Sequence, residues 1–455
     1  MNKHYNVLLI AAPSPSPLAV ISNRVNNYPP LGLCSIATYI EPYGFKTKIL
    51  DLQLECNNLQ TALDFIELYH PQIIGISTTT ESYNCGLRIA KACKEKDSNA
   101  TIVMGGAHVT FEYEDALKHT YVDIVSLREG EITFVDLCNV LINKTDTLAS
   151  ILGIAYRENG QVIRTKNRPL ISDLNSIPYP DRGYLEITQY KRAGTVSSSR
   201  GCPGKCIFCA AGAMGGGMYR SRSAESVLQE IDYLISLGIH YIHFVDDTVT
   251  ANVDRFEALV KGLYERKVKY PDFTWACESR VDIVTEDLIR WLKISGCISI
   301  QFGVESGSQK MLDSMRKGIT LEEIRYAFRL AQKHEIDSAC CFIIGNPDDT
   351  LETTRESIAF AEELSQMGAY IVYSISTPYP GTYMYIHAQD LGLNIFDKNW
   401  DHYTTYTSVM ETSHLSRSQI QTLFFDASTS KNINASEAHK KRSEYIRKEV
   451  YGIGR

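Results

Sequence analysis

The sequence predicts two successive α/β bodies: a doubly wound parallel sheet, then a partial (β/α)6 barrel of the TIM kind, with a small helical cap behind them. Two observations carry this. Short apolar runs alternate with amphipathic helical stretches along most of the chain. In the first body the runs are continuously apolar, as strands covered by helices on both faces must be, so its sheet is parallel.

In residues 1–145 the runs are "VLLIAA" (7–12), "TKILDL" (47–52), "IIGIS" (73–77), "TIVMGG" (101–106) and "DIVSL" (123–127). Between them lie helical patterns such as "LGLCSIATYIEPYG" and "SYNCGLRIAKACKEK". This is a Rossmann-like body, and its ligands belong beyond the carboxyl ends of the strands. The exits to inspect are Pro13 onward, Ser77–Thr80, Gly105-Gly106-Ala107-His108 and Arg128-Glu129-Gly130-Glu131.

Residues 146–192 read as a linker. "GIAYRENGQVIRT" is a hairpin with an Asn-Gly turn, and "SIPYPDRGY" is proline-rich and extended. The barrel occupies 193–394, with strands in "TVSSS", "IHYIHFV", "DFTWAC", "CISIQFG", "SACCFIIG" and "AYIVYSI". Helices such as "SAESVLQEIDYLISLG" and "TLEEIRYAFRLAQKH" separate them, and the chemistry of such a barrel sits at the carboxyl ends of its strands. Residues 395–455 form the helical cap, ending in the charged stretch "ASEAHKKRSEYIRKEVYG".

Composition narrows the class. With 44% hydrophobic and 22% charged residues the chain reads as soluble and globular. A net charge of −7 argues against nucleic acid, which calls for a basic surface. No apolar run approaches the roughly 20 residues of a membrane span, and the opening run breaks at prolines too early for a signal peptide. Twelve cysteines without a secretory segment fit the reducing cytoplasm and not a disulfide framework.

Three of those cysteines stand in "SSSRGCPGKCIFCAAG" with the spacing C-x3-C-x2-C: Cys202, Cys206 and Cys209. A closed structural zinc site takes four ligands, usually in paired knuckles. Three thiolates on one loop leave an open coordination position and suit an iron–sulfur cluster with one free iron. Phe208 precedes the last cysteine, and Gly201, Pro203 and Gly204 let the backbone wrap closely. A zinc loop with a distant fourth ligand is the alternative; no other cysteines form a C-x2-C pair.

This spacing, on the loop after the first strand of a βα barrel, resembles the radical S-adenosylmethionine superfamily. The resemblance implies a [4Fe–4S] cluster whose free iron chelates the methionyl group, and reductive cleavage to a 5′-deoxyadenosyl radical. "HFVDDTVT" resembles the acidic motif that holds the methionyl amine, which implicates Asp246 and Asp247. "ESRVD" puts Arg280 at the carboxylate, "FGVESGSQKML" puts Glu305 and Ser306 at the ribose, and "FIIGNPDDT" puts Gly345 near the adenine. Each has a plainer reading: solvated loop carboxylates, a surface ion pair, and a helix cap through Ser306.

The first body resembles a cobalamin-binding domain through "YPPLGLCSIATYIEPYGFKTKILDLQ", "IIGISTTTESYNCGLRIAKACKEK", "IVMGGAHVT" and "VSLREGEITFVDL". The resemblance implies cobalamin contacts at Pro30, Leu31, Ser77, Thr78, Thr79, Thr80, Gly105, Gly106, His108, Glu129 and Gly130. A nucleotide or flavin site is the plainer reading, weakened by the lack of G-x-G-x-x-G after the first strand. The D-x-H-x-x-G motif that presents a histidine to cobalt is missing. His108 lines the exit, but a lone histidine is not assigned as the axial ligand.

Together the two bodies are similar to cobalamin-dependent radical S-adenosylmethionine enzymes. The resemblance implies methylation of an unactivated carbon of a small molecule or peptide, with a flavodoxin- or ferredoxin-type electron donor. Ring-forming enzymes of tetrapyrrole synthesis share the architecture and end without methyl transfer. A methylthio-transferring branch and a non-catalytic cobalamin or redox sensor are the remaining rivals.

Overall fold

A computed structural model describes residues 5–15, 27–54, 57–436, and 440, 441, 444, 445 and 448. Most of the loop after the first strand, Cys56 and most of the charged final stretch lie outside the described residues. The chain divides into two compact units, 1–191 and 192–455.

In the first unit, β1 (Val7–Ala11), β2 (Thr47–Asp51), β3 (Ile73–Ser77), β4 (Thr101–Gly105) and β5 (Ile124–Ser126) are parallel, in the order β2-β1-β3-β4-β5. Every residue of β1 is buried, which is why its sequence shows no alternation. The longer helices are α1 (Leu31–Ile40), α2 (Leu59–Tyr69), α3 (Tyr83–Lys96) and α4 (Glu131–Leu141). Asn58 and Thr61 close a capping box at the start of α2. The strand order reverses between β1 and β3, so the crevice of a doubly wound sheet opens there.

The residues read as a linker are integral to this unit. β6 (Ile154–Glu158) and β7 (Gln161–Arg164) extend the same sheet, β6 antiparallel to β5 and β7 to β6. The proline-rich segment has no ladder of its own and borrows partners instead. Asp181 N donates to Thr38 Oγ1 at 2.9 Å, Tyr184 OH to Glu41 at 2.8 Å, and Tyr190 OH to Asp51 at 2.9 Å.

The second unit opens with β8 (Thr195–Val196) and a short antiparallel ladder, β9 (Ser199–Arg200) with β10 (Arg220–Ser221). Then follow β11 (Tyr241–Phe244), β12 (Thr274–Ser279), β13 (Cys297–Glu305), β14 (Asp337–Ile344) and β15 (Tyr370–Ile375). The six main strands form one parallel sheet, β8-β11-β12-β13-β14-β15, with β8 and β15 at its two ends. The longer helices between them are α5 (Ala224–Ser236), α6 (Val253–Lys269), α7 (Glu286–Ile294), α8 (Leu321–Lys333) and α9 (Leu351–Gln366). Each starts at a side-chain cap: Ser223, Asn252, Thr285, Thr320 and Thr350.

Alternation along these strands sorts two faces. Phe302 of β13 meets Phe328 of α8 with ring centroids 5.3 Å apart, and Trp275 of β12 donates its indole N–H to Ser295 O at the end of α7. That face is the core. Glu278, Gln301, Gly303 and Cys341 fall on the opposite, luminal face and are less completely buried.

The cap is mixed and not purely helical. β16 (Asn394–Ile395) pairs antiparallel with β17 (Met410–Glu411), followed by α10 (Arg417–Ser428). Ile371 N of β15 donates to Asn434 O and Ile375 N to Thr405 O, each at 2.7 Å.

Candidate active site

The cysteine loop, 201–219, leaves the β9/β10 ladder just beyond β8. Gly201 has φ +81°, and a Cβ there would stand 2.2 Å from Met218 O, so only glycine lets the loop double back. A Cβ on Gly204 would lie 3.3 Å from Cys202 Sγ, 3.8 Å from Cys206 Sγ and 3.8 Å from Arg280 Nη1. Ile207 fastens the middle of the loop: its N–H donates to Met315 O at 3.2 Å and its carbonyl accepts from Met384 N at 2.9 Å. Phe208 packs against Met384, Leu393 and Met410, so the cap braces the loop.

Among the described residues no three His, Cys, Asp or Glu side chains gather as they would around one metal ion. Three thiols on one loop suit a cluster, in which each iron takes a separate thiolate. Burial pushes the Cys206 thiol up, while the ammonium of Lys317 pulls it back down, so cluster binding there must displace a proton.

The acidic pair at the end of β11 is divided. Asp246 is 2% exposed and accepts hydrogen bonds from Ser198 N, Ser198 Oγ and Ser199 Oγ. Burial still raises its pKa, against those bonds. Asp247 is exposed and accepts from the Gly201 N–H. Arg280 donates to Asp282 at 2.9 Å and to the carbonyls of Lys317 and Gly318 at 3.2 and 3.3 Å.

Glu305, held at φ +69° at the end of β13, accepts from Lys317 Nζ at 2.6 Å. Ser306 turns elsewhere: its hydroxyl accepts from Ser308 N and pairs with Ser357, while the next helix starts at Ser308 with no side-chain cap. Gly345 donates its N–H to Asp349, and a Cβ on it would stand 2.9 Å from Ile420 of α10.

Two luminal residues escaped the sequence reading. Glu278 of β12 is pushed up to about 7, first by burial and then by Asp247, Asp246 and Glu305. Lys317 is buried beside Glu305 and near Cys206. Glu278 was legible in principle, as the one carboxylate of "TWACES"; Lys317, in a turn after a short helix, carried no such signal.

In the first unit the exits of β3 and β4 meet. Thr78 N donates to Gly105 O at 2.9 Å, and a Cβ on Gly106 would stand 2.2 Å from Thr78 O. Ser77 and Gly105 are half-buried and Thr79 is exposed, leaving open backbone beside the switch point. That cradle fits a flat ring with amide edges. His108 lies under the exit and not in it: 1% exposed, it meets Thr80 Oγ1 at 3.3 Å and Tyr83 ring-to-ring at 4.2 Å. Burial holds its pKa down at about 4. Glu129 accepts from Ile171 N, and Gly130 makes room for Ile36. Pro30 and Leu31 open α1, with Leu31 as its first residue.

Two family models match: the Radical SAM superfamily over residues 196–361 and the B12 binding domain over residues 17–138. An uncharacterized methyltransferase of Pyrococcus horikoshii is 34% identical over 427 residues, covering 92% of this chain and 91% of that protein. The anaerobic magnesium-protoporphyrin IX monomethyl ester cyclase of Rubrivivax gelatinosus is 26% identical, covering 87% of this chain and 72% of its own length. In fold, the chain is similar to the radical S-adenosylmethionine methyltransferase TsrM of Kitasatospora setae, solved with cobalamin and a [4Fe–4S] cluster bound. That match has a TM-score of 0.72 at 17% identity and covers 96% of this chain and 87% of the other. The chain belongs to the cobalamin-dependent radical S-adenosylmethionine enzymes, whose cofactors are an iron–sulfur cluster, S-adenosylmethionine and cobalamin.

Proposed function

We propose that this enzyme methylates carbon in a small-molecule or peptide substrate in the cytoplasm, with electrons from a flavodoxin- or ferredoxin-type donor. The observation that carries the reading is the three-cysteine loop standing by Arg280 and Lys317 at the strand ends of a carboxylate-lined barrel. When bound, the cofactors supply one-electron chemistry at the loop and a methyl group to transfer.

The chain's own residues hold and orient. Cys202, Cys206 and Cys209 would bind three irons and leave the fourth for S-adenosylmethionine. Arg280 and Lys317 bring positive charge beside the loop and would receive a carboxylate. Asp247 and Glu278 face the lumen and would receive the ammonium. The Gly105–Gly106 cradle would lie against the corrin.

The full-length relative named as a methyltransferase supports methyl transfer over other radical outcomes. The test is incubation with S-adenosylmethionine carrying a deuterated methyl group. Label in a carbon-bound methyl of the product is the expected result. The likeness to the ring-forming cyclase favours a second reading, in which 5′-deoxyadenosine accumulates and no label moves. Loss of all S-adenosylmethionine cleavage in Cys206→Ala separates either enzyme from a non-catalytic sensor.

A further inference from the structure

Family resemblance gives both carboxylates of the β11 exit to a ligand amine, but the geometry around Asp246 serves the chain itself. Its two oxygens receive Ser198 N at 3.1 and 3.2 Å, Ser198 Oγ at 2.7 Å, and the Ser199 hydroxyl. At 2% exposure it has no face left for a ligand. Asp247 accepts the Gly201 N–H, and Arg200 pairs with Arg220 in the β9/β10 ladder. Arg255 adds a second grip: it donates to Ser198 O at 3.1 Å, Val249 O at 3.2 Å and Arg222 O at 3.0 Å. Every residue from Ser198 to Gly201 is therefore held, and the next residue is Cys202.

We propose that Asp246 is a positioning residue that fixes the approach to the cysteine loop, so that three thiols stand ready for irons, and that Asp247 alone of the pair meets a ligand. A short loop of glycines has many conformations, and ordering it in advance removes that entropy from the cost of cluster binding. The inference rests on the three cysteines holding the cluster, and its main readout needs no cluster.

The experiment uses the full chain, metal-free and reduced, with Asp246→Ala, Asp246→Asn, Ser199→Ala and Asp247→Asn. Alkylation by iodoacetamide is followed cysteine by cysteine by mass spectrometry, with buried Cys297 and Cys340 as internal controls. Asp246→Ala is expected to label Cys202, Cys206 and Cys209 at least about tenfold faster, the lower end of what loss of a hydrogen bond to a charged group gives. The control cysteines stay protected, and Asp246→Asn, which keeps one acceptor oxygen, falls between. Iron and sulfide per chain after anaerobic reconstitution fall in the same order. Asp247→Asn, which keeps an acceptor for the Gly201 N–H, weakens S-adenosylmethionine binding and speeds alkylation far less than Asp246→Ala. If the control cysteines also react in Asp246→Ala, the barrel has opened, and Ser199→Ala, which removes one hydroxyl, decides by the same comparison. Unchanged alkylation at the three cysteines, with S-adenosylmethionine binding lost, would return Asp246 to the ligand and overturn the proposal.

Discussion

Lys317 donates to Glu305 at 2.6 Å inside the barrel, in space that Gly303 leaves open: a Cβ on Gly303 would stand 2.6 Å from Glu305 Oε1 and 2.7 Å from Lys317 Nζ. Both side chains are about 10% exposed. The ion pair and the missing side chain form one device. Removing one partner of a buried pair strands the other charge and costs about 3–5 kcal/mol. Lys317→Ala is therefore expected to lower unfolding free energy by that order in urea titration. The double variant Lys317→Met/Glu305→Gln should cost less than the single one; an equal or larger cost would remove the pair from the account.

Glu278 sets a pH dependence. Its pKa in the folded chain is raised from 4.5 to about 7, so the folded state holds a proton that the unfolded chain gives up. The stability tied to that proton is complete below pH 4.5 and is lost as pH rises through about 7. At about 1.4 kcal/mol per pKa unit, the swing is at most about 3.5 kcal/mol. Glu278→Gln should flatten the stability–pH curve of the metal-free protein across that window, as read by urea midpoints. A parallel curve would exclude Glu278 as the titrating group.

A cation entering the lumen should reverse this shift. Positive charge favours the carboxylate, so S-adenosylmethionine binding near pH 6.5 should release up to about one proton. Calorimetry in buffers of differing ionisation heat measures it, and Glu278→Gln should abolish the release.

Gly106 has φ +106° and ψ −178°, a region open in practice only to glycine, and faces Thr78 O. Gly106→Ala adds strain of about 1–3 kcal/mol as well as a clash. Corrin absorbance after reconstitution should drop sharply, while iron per chain is unchanged. Equal corrin retention would place the ring elsewhere.

Legibility followed the repeat length of each signal. "VLLIA" and "CISIQFGVE" announce their strands because burial on one or two faces writes itself along five or nine residues. The β16/β17 ladder has two residues per strand, too short to carry a period, so the cap read as helical only. The proline-rich segment looked like a linker because its partners, Thr38, Glu41 and Asp51, lie more than a hundred residues away. At the site, C-x3-C-x2-C was visible because one loop holds all three thiols. The division between Asp246 and Asp247 was not. Two adjacent carboxylates are equivalent on paper, and only the two serines under Asp246 separate them.

The carbonyls of Asn434 and Thr405 occupy the outer N–H groups of Ile371 and Ile375 on β15. An end strand with bare amides is a template for another chain. The cap is thus a guard against self-association as well as a brace for the cysteine loop. A chain severed ahead of Thr405 would keep its barrel sequence intact and still be prone to recruit copies of itself, strand upon strand. Poor solubility in such a fragment would report an unsealed sheet and not an unfolded one.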